Sequence, residues 1–405
     1  MSGAHSSRRF ATPRLGVLPH PVQAYALDEP TGGTYGNANY SAMDAWLRAE
    51  ATKRDVVYHP ETNYWVNVDV DVPLFLPLYG ANRLRDLRNL ENASLGGQNI
   101  FDSGWEWGAW LSDVVAARAA WRPAPSFRAA LAPVAKAVGE RAADVVARLA
   151  EDQRRLLVFG GGAHVGDLGV LSGFGYLSGR TAWTDLLETL GVASTQPGRV
   201  APADHGHPLY GRVAPLLVDM NATFGARAAE LAALARTAAE GSLVAELADA
   251  ARLLAGRAAF VADIYAAQAP NATATAKVAA LGGARAALDA AAAVVARRER
   301  HYRVDVARVG GWRDTPTAYG FGYLWTVKTL FYWWRDLGKA IAGVANDPCY
   351  LNEENALEVA FGADWAAAAG PEIRAFLAGL GADKAAACFS PPPEEYAFPR
   401  DLFRY

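Results

Sequence analysis

Asn67, Asp69 and Asp71 alternate with valines in "NYWVNVDVDVP", residues 63–73. A period of two is that of a β-strand, so these three polar side chains share one face. Aspartate is disfavoured in strands. Two aspartates beside Asn67 and Trp65 therefore fit a strand that lines a polar pocket. Two chemistries follow. One aspartate can bind sugar hydroxyls or act as acid or base. Alternatively, Asp69-Val-Asp71 forms a D-x-D pair holding a divalent metal on a nucleotide-sugar diphosphate, as in many glycosyltransferases. A solvent-facing strand of a one-sided sheet would carry the same pattern. The apolar "VPLFLPLYG" that follows argues for burial instead.

The second concentration of chemistry is "FDSGWEWGAWLSDVV", residues 101–115, where Glu106 sits between Trp105 and Trp107. Indole faces suit the CH groups of sugars, and paired carboxylates suit glycosidic cleavage. Ser103 and Glu106 also have the spacing of a capping box, which predicts a helix starting at Ser103. Trp107, Trp110, Leu111, Val114 and Trp121 would then share one face. Trp105 falls off that stripe. Gly104 and Gly108 cost such a helix up to about 1 kcal/mol each and permit close approach of a ligand or another element. His59 and Glu61 in "YHPETNYW" precede the strand as polar turn residues within reach of the same pocket.

The elements that must position these residues fall into two groups. Residues 63–72 read as a strand ended by Pro73, with helices over 41–54 and 80–92 on either side. Strand, loop and helix in succession make a partial α/β unit over residues 1–124. From residue 125 alanine becomes dense. Arg128–Leu157, Val213–Ala239, Ser242–Gln268 and Ala274–His301 read as long helices, antiparallel where connections are short. Residues 125–405 are thus expected to form a predominantly α-helical domain. The order resembles the closing end of a (β/α) barrel with a helical appendage, an analogy of architecture only.

Other motifs fail their tests. Gly160, Gly161, Gly162 and Gly166 do not give a dinucleotide fingerprint, and no phosphate-binding P-loop pattern occurs. His164 is a loop residue with site potential. His205 and His207 lack a third ligand in sequence view. No metal and no cofactor are therefore expected. Cys349 and Cys388 match no metal spacing and read as two thiols or, in a secreted chain, one disulfide. The aromatics of residues 301–336 read mainly as core.

The net charge is −3, with no like-charge run of five, which argues against a nucleic-acid or anionic-membrane partner. No membrane span is expected: the most apolar stretch, Tyr319 to Trp334, holds Lys328 near its middle. The N-terminal residues lack the apolar run of a signal peptide and read as a poor domain start, as in the C-terminal part of a longer product. Sequons at Asn39, Asn92, Asn221 and Asn271 exceed what the composition gives by chance and favour the secretory route. The reading is a carbohydrate-active protein, a glycoside hydrolase or its non-catalytic relative, with a glycan or other small polar ligand. Asp69, Asp71 and Glu106 are the expected catalytic carboxylates. Asn67, Trp65, Trp105, His59 and Glu61 are the expected substrate contacts. The rivals are a non-enzymatic helical interaction protein and the metal-dependent glycosyltransferase.

Overall fold

The computed structural model describes residues 14–22, 24–31, 39–63, 74–102, 107–158, 177, 210–302, 333, 337 and 340–341. Residues 63–72, the expected strand, lie outside them apart from Asn63. The observed sheet comes just before and after that segment. β1 (Val57–Tyr58) pairs in parallel with β2 (Gly97–Gln98). Parallel bridges Val17–Val56 and Glu61–Phe101 extend the ladder. Hydrogen bonds confirm the register: Val57 N to Val17 O at 2.9 Å, His59 N to Pro19 O at 3.0 Å, Asn99 N to Tyr58 O at 2.9 Å, and Phe101 N to Pro60 O at 2.8 Å. Residues 55–61 thus run between 17–21 and 96–101, all in one direction. Pro19, Pro21 and Pro60 carry no N–H, so regular strand geometry is confined to two residues per strand.

Parallel neighbours need crossover connections. α1 (Ser41–Ala51) provides the first and α2 (Leu78–Asn89) the second. At the start of α1, Asn39 Oδ1 accepts from Ser41 N at 3.0 Å; Ser41 itself makes no cap bond. α2 is buried along most of its length and carries a polar core. Fully buried Arg83 lies 3.3 Å from Asp86 and donates to the carbonyls of Glu61 and Tyr25. Asp86 accepts from Leu27 N at 2.8 Å and from the Tyr58 hydroxyl. Asn82 donates to Ala24 O and Glu29. These bonds compensate the desolvation of the charges. They also tie loop 24–31 and β1 to α2. Breaking one partner would leave an uncompensated buried charge.

The rest is helical. α3 (Trp110–Trp121) packs on α2, and α4 (Phe127–Ala130), α5 (Ala132–Val138) and α6 (Glu140–Gln153) follow. The sequence predicts one helix over 128–157. Gly139 at φ +93° interrupts it, a conformation that favours glycine. A π-helical turn, Arg154–Val158, ends α6. Then come α7 (Tyr210–Ala235), α8 (Leu243–Gln268) and α9 (Ala274–Tyr302), close to the expected spans. α8 packs along both α7 and α9. Ala284, Leu288, Ala291, Val294 and Val295 form the buried stripe of α9, at the three-four spacing of a core-facing helix. Within α9, Ala274–Arg298 is long and apolar enough to cross a membrane by length and composition.

One hydrophobic cluster runs through the ladder, α2, α3 and the helices after residue 125. Gln153 bridges the two groups, accepting from Leu78 N at 3.2 Å and donating to Phe75 O at 2.8 Å. The described residues are mostly helical with this small parallel sheet. Among them the ladder closes no barrel, so the α/β character reduces to three parallel segments and two crossover helices.

Candidate functional site

Trp65, Asn67, Asp69 and Asp71, and likewise Ser103, Trp105 and Glu106, lie outside the described residues. The residues flanking both segments are described, and they meet. Asn63 Nδ2 donates to Asp102 Oδ1 at 3.0 Å, joining the positions just before 64–73 and 103–106. Beyond the segments, Phe75 faces Gly108: a Cβ on Gly108 would lie 2.8 and 2.9 Å from two ring carbons of Phe75.

The helix expected at Ser103 begins at Trp110, with Ala109 as N-cap and no side-chain cap bond. Trp107 (φ 54°) and Gly108 (φ 77°) are left-handed, and such residues do not continue a right-handed helix. A helix running unbroken from Ser103 into α3 is therefore not formed; Ser103 and Glu106 themselves lie outside the described residues. Of the expected apolar face, Leu111 is buried, Trp110 and Val114 are half-buried, and Trp121 is 93% exposed. Trp107 is fully buried but outside the helix.

Asp113, in the first turn of α3, accepts from the Thr62 hydroxyl and hydrogen-bonds Asp102. Burial is the main cause that pushes its carboxyl up to about 7; the Thr62 bond opposes this, and the Asp102 charge adds to it. A helix N-terminus favours the anion, yet here desolvation and the neighbouring carboxylate win. The Asp102 carboxylate beside it thus helps Asp113 keep its proton.

Beside them lies a second cluster. Glu61, expected as a polar turn residue, is only 4% exposed, and its carboxylate stands 3.3 Å from His20 Nε2. His20 Nδ1 hydrogen-bonds His59 O at 2.8 Å. With both ring nitrogens facing acceptors, the doubly protonated imidazolium fits best. The His20 pKa is accordingly raised, chiefly by the Glu61 bond and against burial. His59 stacks on His20 with ring centroids 4.7 Å apart, and Phe101 sets its edge toward both rings. The His59 ring is oriented by Nδ1 against Asn99 O at 2.5 Å.

His20, Glu61–Asn63 and Phe101–Asp102 lie at or just past the C-terminal ends of the three parallel segments. They gather at the carboxyl edge of the ladder, where open α/β sheets bind ligands. Of these neighbours the sequence singled out His59 and Glu61, and it did not single out His20, Thr62, Asn63, Asp102 or Asp113. The one available signal was the position of "PETN" and "FD" immediately beside the two acidic, Trp-bearing segments. Among the described residues no group of three His, Cys, Asp or Glu is placed to hold a metal ion. His164, His205, His207, Cys349 and Cys388 lie outside them. No family model, no curated protein and no solved structure matches this chain.

Proposed function

We propose that this chain is a carbohydrate-active protein that hydrolyses glycosidic bonds at the carboxyl edge of its parallel ladder. The observation that carries the reading is the raised carboxyl of Asp113 beside Asp102, whose bond from Asn63 joins the residues that precede the stretches bearing Asp69, Asp71, Glu106, Trp65 and Trp105. A carboxylic acid still protonated near neutral pH is what a general acid for a glycosidic oxygen requires. Hydrogen-bonded carboxyls lie closer than the roughly 5–5.5 Å that separates the two carboxyls of a retaining enzyme. Asp113 is therefore the acid, with Asp102 beside it, and the second carboxylate comes from Asp69, Asp71 or Glu106.

In the proposed step Asp113 gives its proton to the leaving oxygen as the anomeric C–O bond breaks. Water adds to the anomeric carbon, and its proton passes to the second carboxylate. Trp65 and Trp105 offer faces for the sugar, and His59 and Asn67 offer polar contacts. The test is turnover and binding on a panel of natural and chromogenic glycosides. Hydrolysis by the native chain, lost in Asp113→Asn with the fold intact, supports the reading. A folded chain that neither turns over nor binds any panel member overturns it in favour of the helical interaction protein. Activity that depends strictly on an added divalent cation and a nucleotide sugar would favour the glycosyltransferase.

A further inference from the structure

Glu246 lies in the first turn of α8 and is 6% exposed. Among the described residues its carboxylate serves neither its own helix terminus nor a cation at hydrogen-bond range. Instead Oε1 accepts from Gly108 N at 3.1 Å and from Trp110 Nε1 at 2.9 Å. A buried carboxylate is costly unless it is hydrogen-bonded, and an apolar residue would fill the same space at lower cost. What the carboxylate holds is a strained corner. Trp107 is a fully buried non-glycine residue at φ 54°, and Gly108 follows at φ 77°. Such conformations persist only where surrounding contacts over-determine them. The contacts here come from three elements: Glu246 and Leu247 of α8, the Phe75 ring, and the Trp110 indole.

We propose that Glu246 is a positioning residue of the site: its carboxylate fixes the corner Trp107–Trp110, from which α3 and its Asp113 start. Its catalytic meaning rests on the hydrolase reading above, whereas the clamp itself does not. A helix remote in sequence thereby sets where α3, with Asp113 in its first turn, begins. Misplacement of a reacting group by about 1 Å can cost on the order of a hundredfold in rate.

The experiment compares Glu246→Ala, Glu246→Gln and Trp110→Phe in the full chain. Glutamine keeps an acceptor oxygen. Phenylalanine removes one donor and leaves α8 untouched, which keeps the test open should the alanine variant fold poorly. Hydrogen exchange is read over residues 100–112 and over α8 and α9. In Glu246→Ala, exchange of the Gly108 amide and its neighbours should rise by roughly tenfold or more, given a lost bond to a charged group, while α8 and α9 stay protected. Glu246→Gln should stay near the native rates, and Trp110→Phe should fall between. On any glycoside the native chain hydrolyses, kcat should fall in the alanine variant with KM little changed, and recover in the glutamine variant. Unchanged exchange over 100–112, or equal loss of protection throughout α8, overturns the positioning role. Absence of glycoside turnover by the native chain overturns the hydrolase reading alone, and the exchange result still decides the clamp.

Discussion

The Asn63 side-chain amide donates to the Asp102 carboxylate across 3.0 Å, and the two residues belong to different parallel segments. Each is the last described residue before a segment rich in acids and tryptophans. The same aspartate hydrogen-bonds Asp113 on α3. One carboxyl thus couples the second segment, the third segment and the helix that follows.

Removing this link should be felt in stability as well as activity. Asn63→Ala is expected to destabilise the fold by roughly 0.5–1.5 kcal/mol, since one hydrogen bond is lost while the exposed Asp102 carboxylate can be rehydrated. Denaturant unfolding measures it. An unchanged midpoint would mean that the roots of the two segments are not tied.

Asp113→Asn should separate chemistry from folding. Asparagine keeps the shape and can still hydrogen-bond Asp102 and Thr62, so the melting temperature should change little. Turnover should fall by roughly 10²- to 10⁴-fold, the usual contribution of a positioned acid. In the native chain the alkaline limb of the rate profile should titrate near the value of about 7 that burial gives Asp113. A limb that survives the substitution assigns the acid elsewhere.

Stability should decline as pH rises toward neutrality. His20 has a raised value in the fold, so its contribution is complete below its ordinary 6.5 and is lost as pH climbs through the folded value. Asp113 and Asp86 are carboxyls raised to about 7 and about 6. The folded state binds more protons than the unfolded one above their ordinary 3.8, so their contributions also fall with rising pH. Melting scans from about pH 5 to about pH 8 should therefore show a decreasing midpoint. His20→Gln should flatten the upper part of that slope. A midpoint that rises over this interval contradicts all three assignments.

Gly108→Ala should be more damaging than an ordinary loop substitution. The added Cβ would sit 2.8 Å from Phe75 and 3.0 Å from Leu247, on a backbone at φ 77°. Overpacking and backbone strain each cost about 1–3 kcal/mol. Calorimetry showing no loss would remove the corner from the account of the site.

The helices from Tyr210 to Tyr302 were legible because each repeats its apolar spacing over many turns, with Ser242 marking one start through its bond from Ala245 N. The parallel ladder was not. Pro19, Pro21 and Pro60 break the pattern that would signal strands, and the pairing joins residues about forty positions apart. The helix start near Ser103 was misread because a capping box is a local signal, while the left-handed turn at Trp107–Gly108 is imposed by Glu246 and Phe75 from distant elements. Asp102 and Asp113 carried no recognisable spacing. They meet only because the third parallel segment delivers one beside the helix that bears the other. Glu61 looked like a turn residue because its partner, His20, sits forty-one positions earlier.

The span from Gly108 to Glu246 is 138 positions, and it has a consequence for the order in which the molecule is built. Closing a longer loop costs more chain entropy, and distant pairings slow assembly. The parallel segments and α2 can associate as soon as the first hundred or so residues are available. The corner at Trp107 has no clamp until α8 arrives. During synthesis the early part of the chain would therefore hold its acids without a finished frame. Completion of the site would report that the helical half has docked.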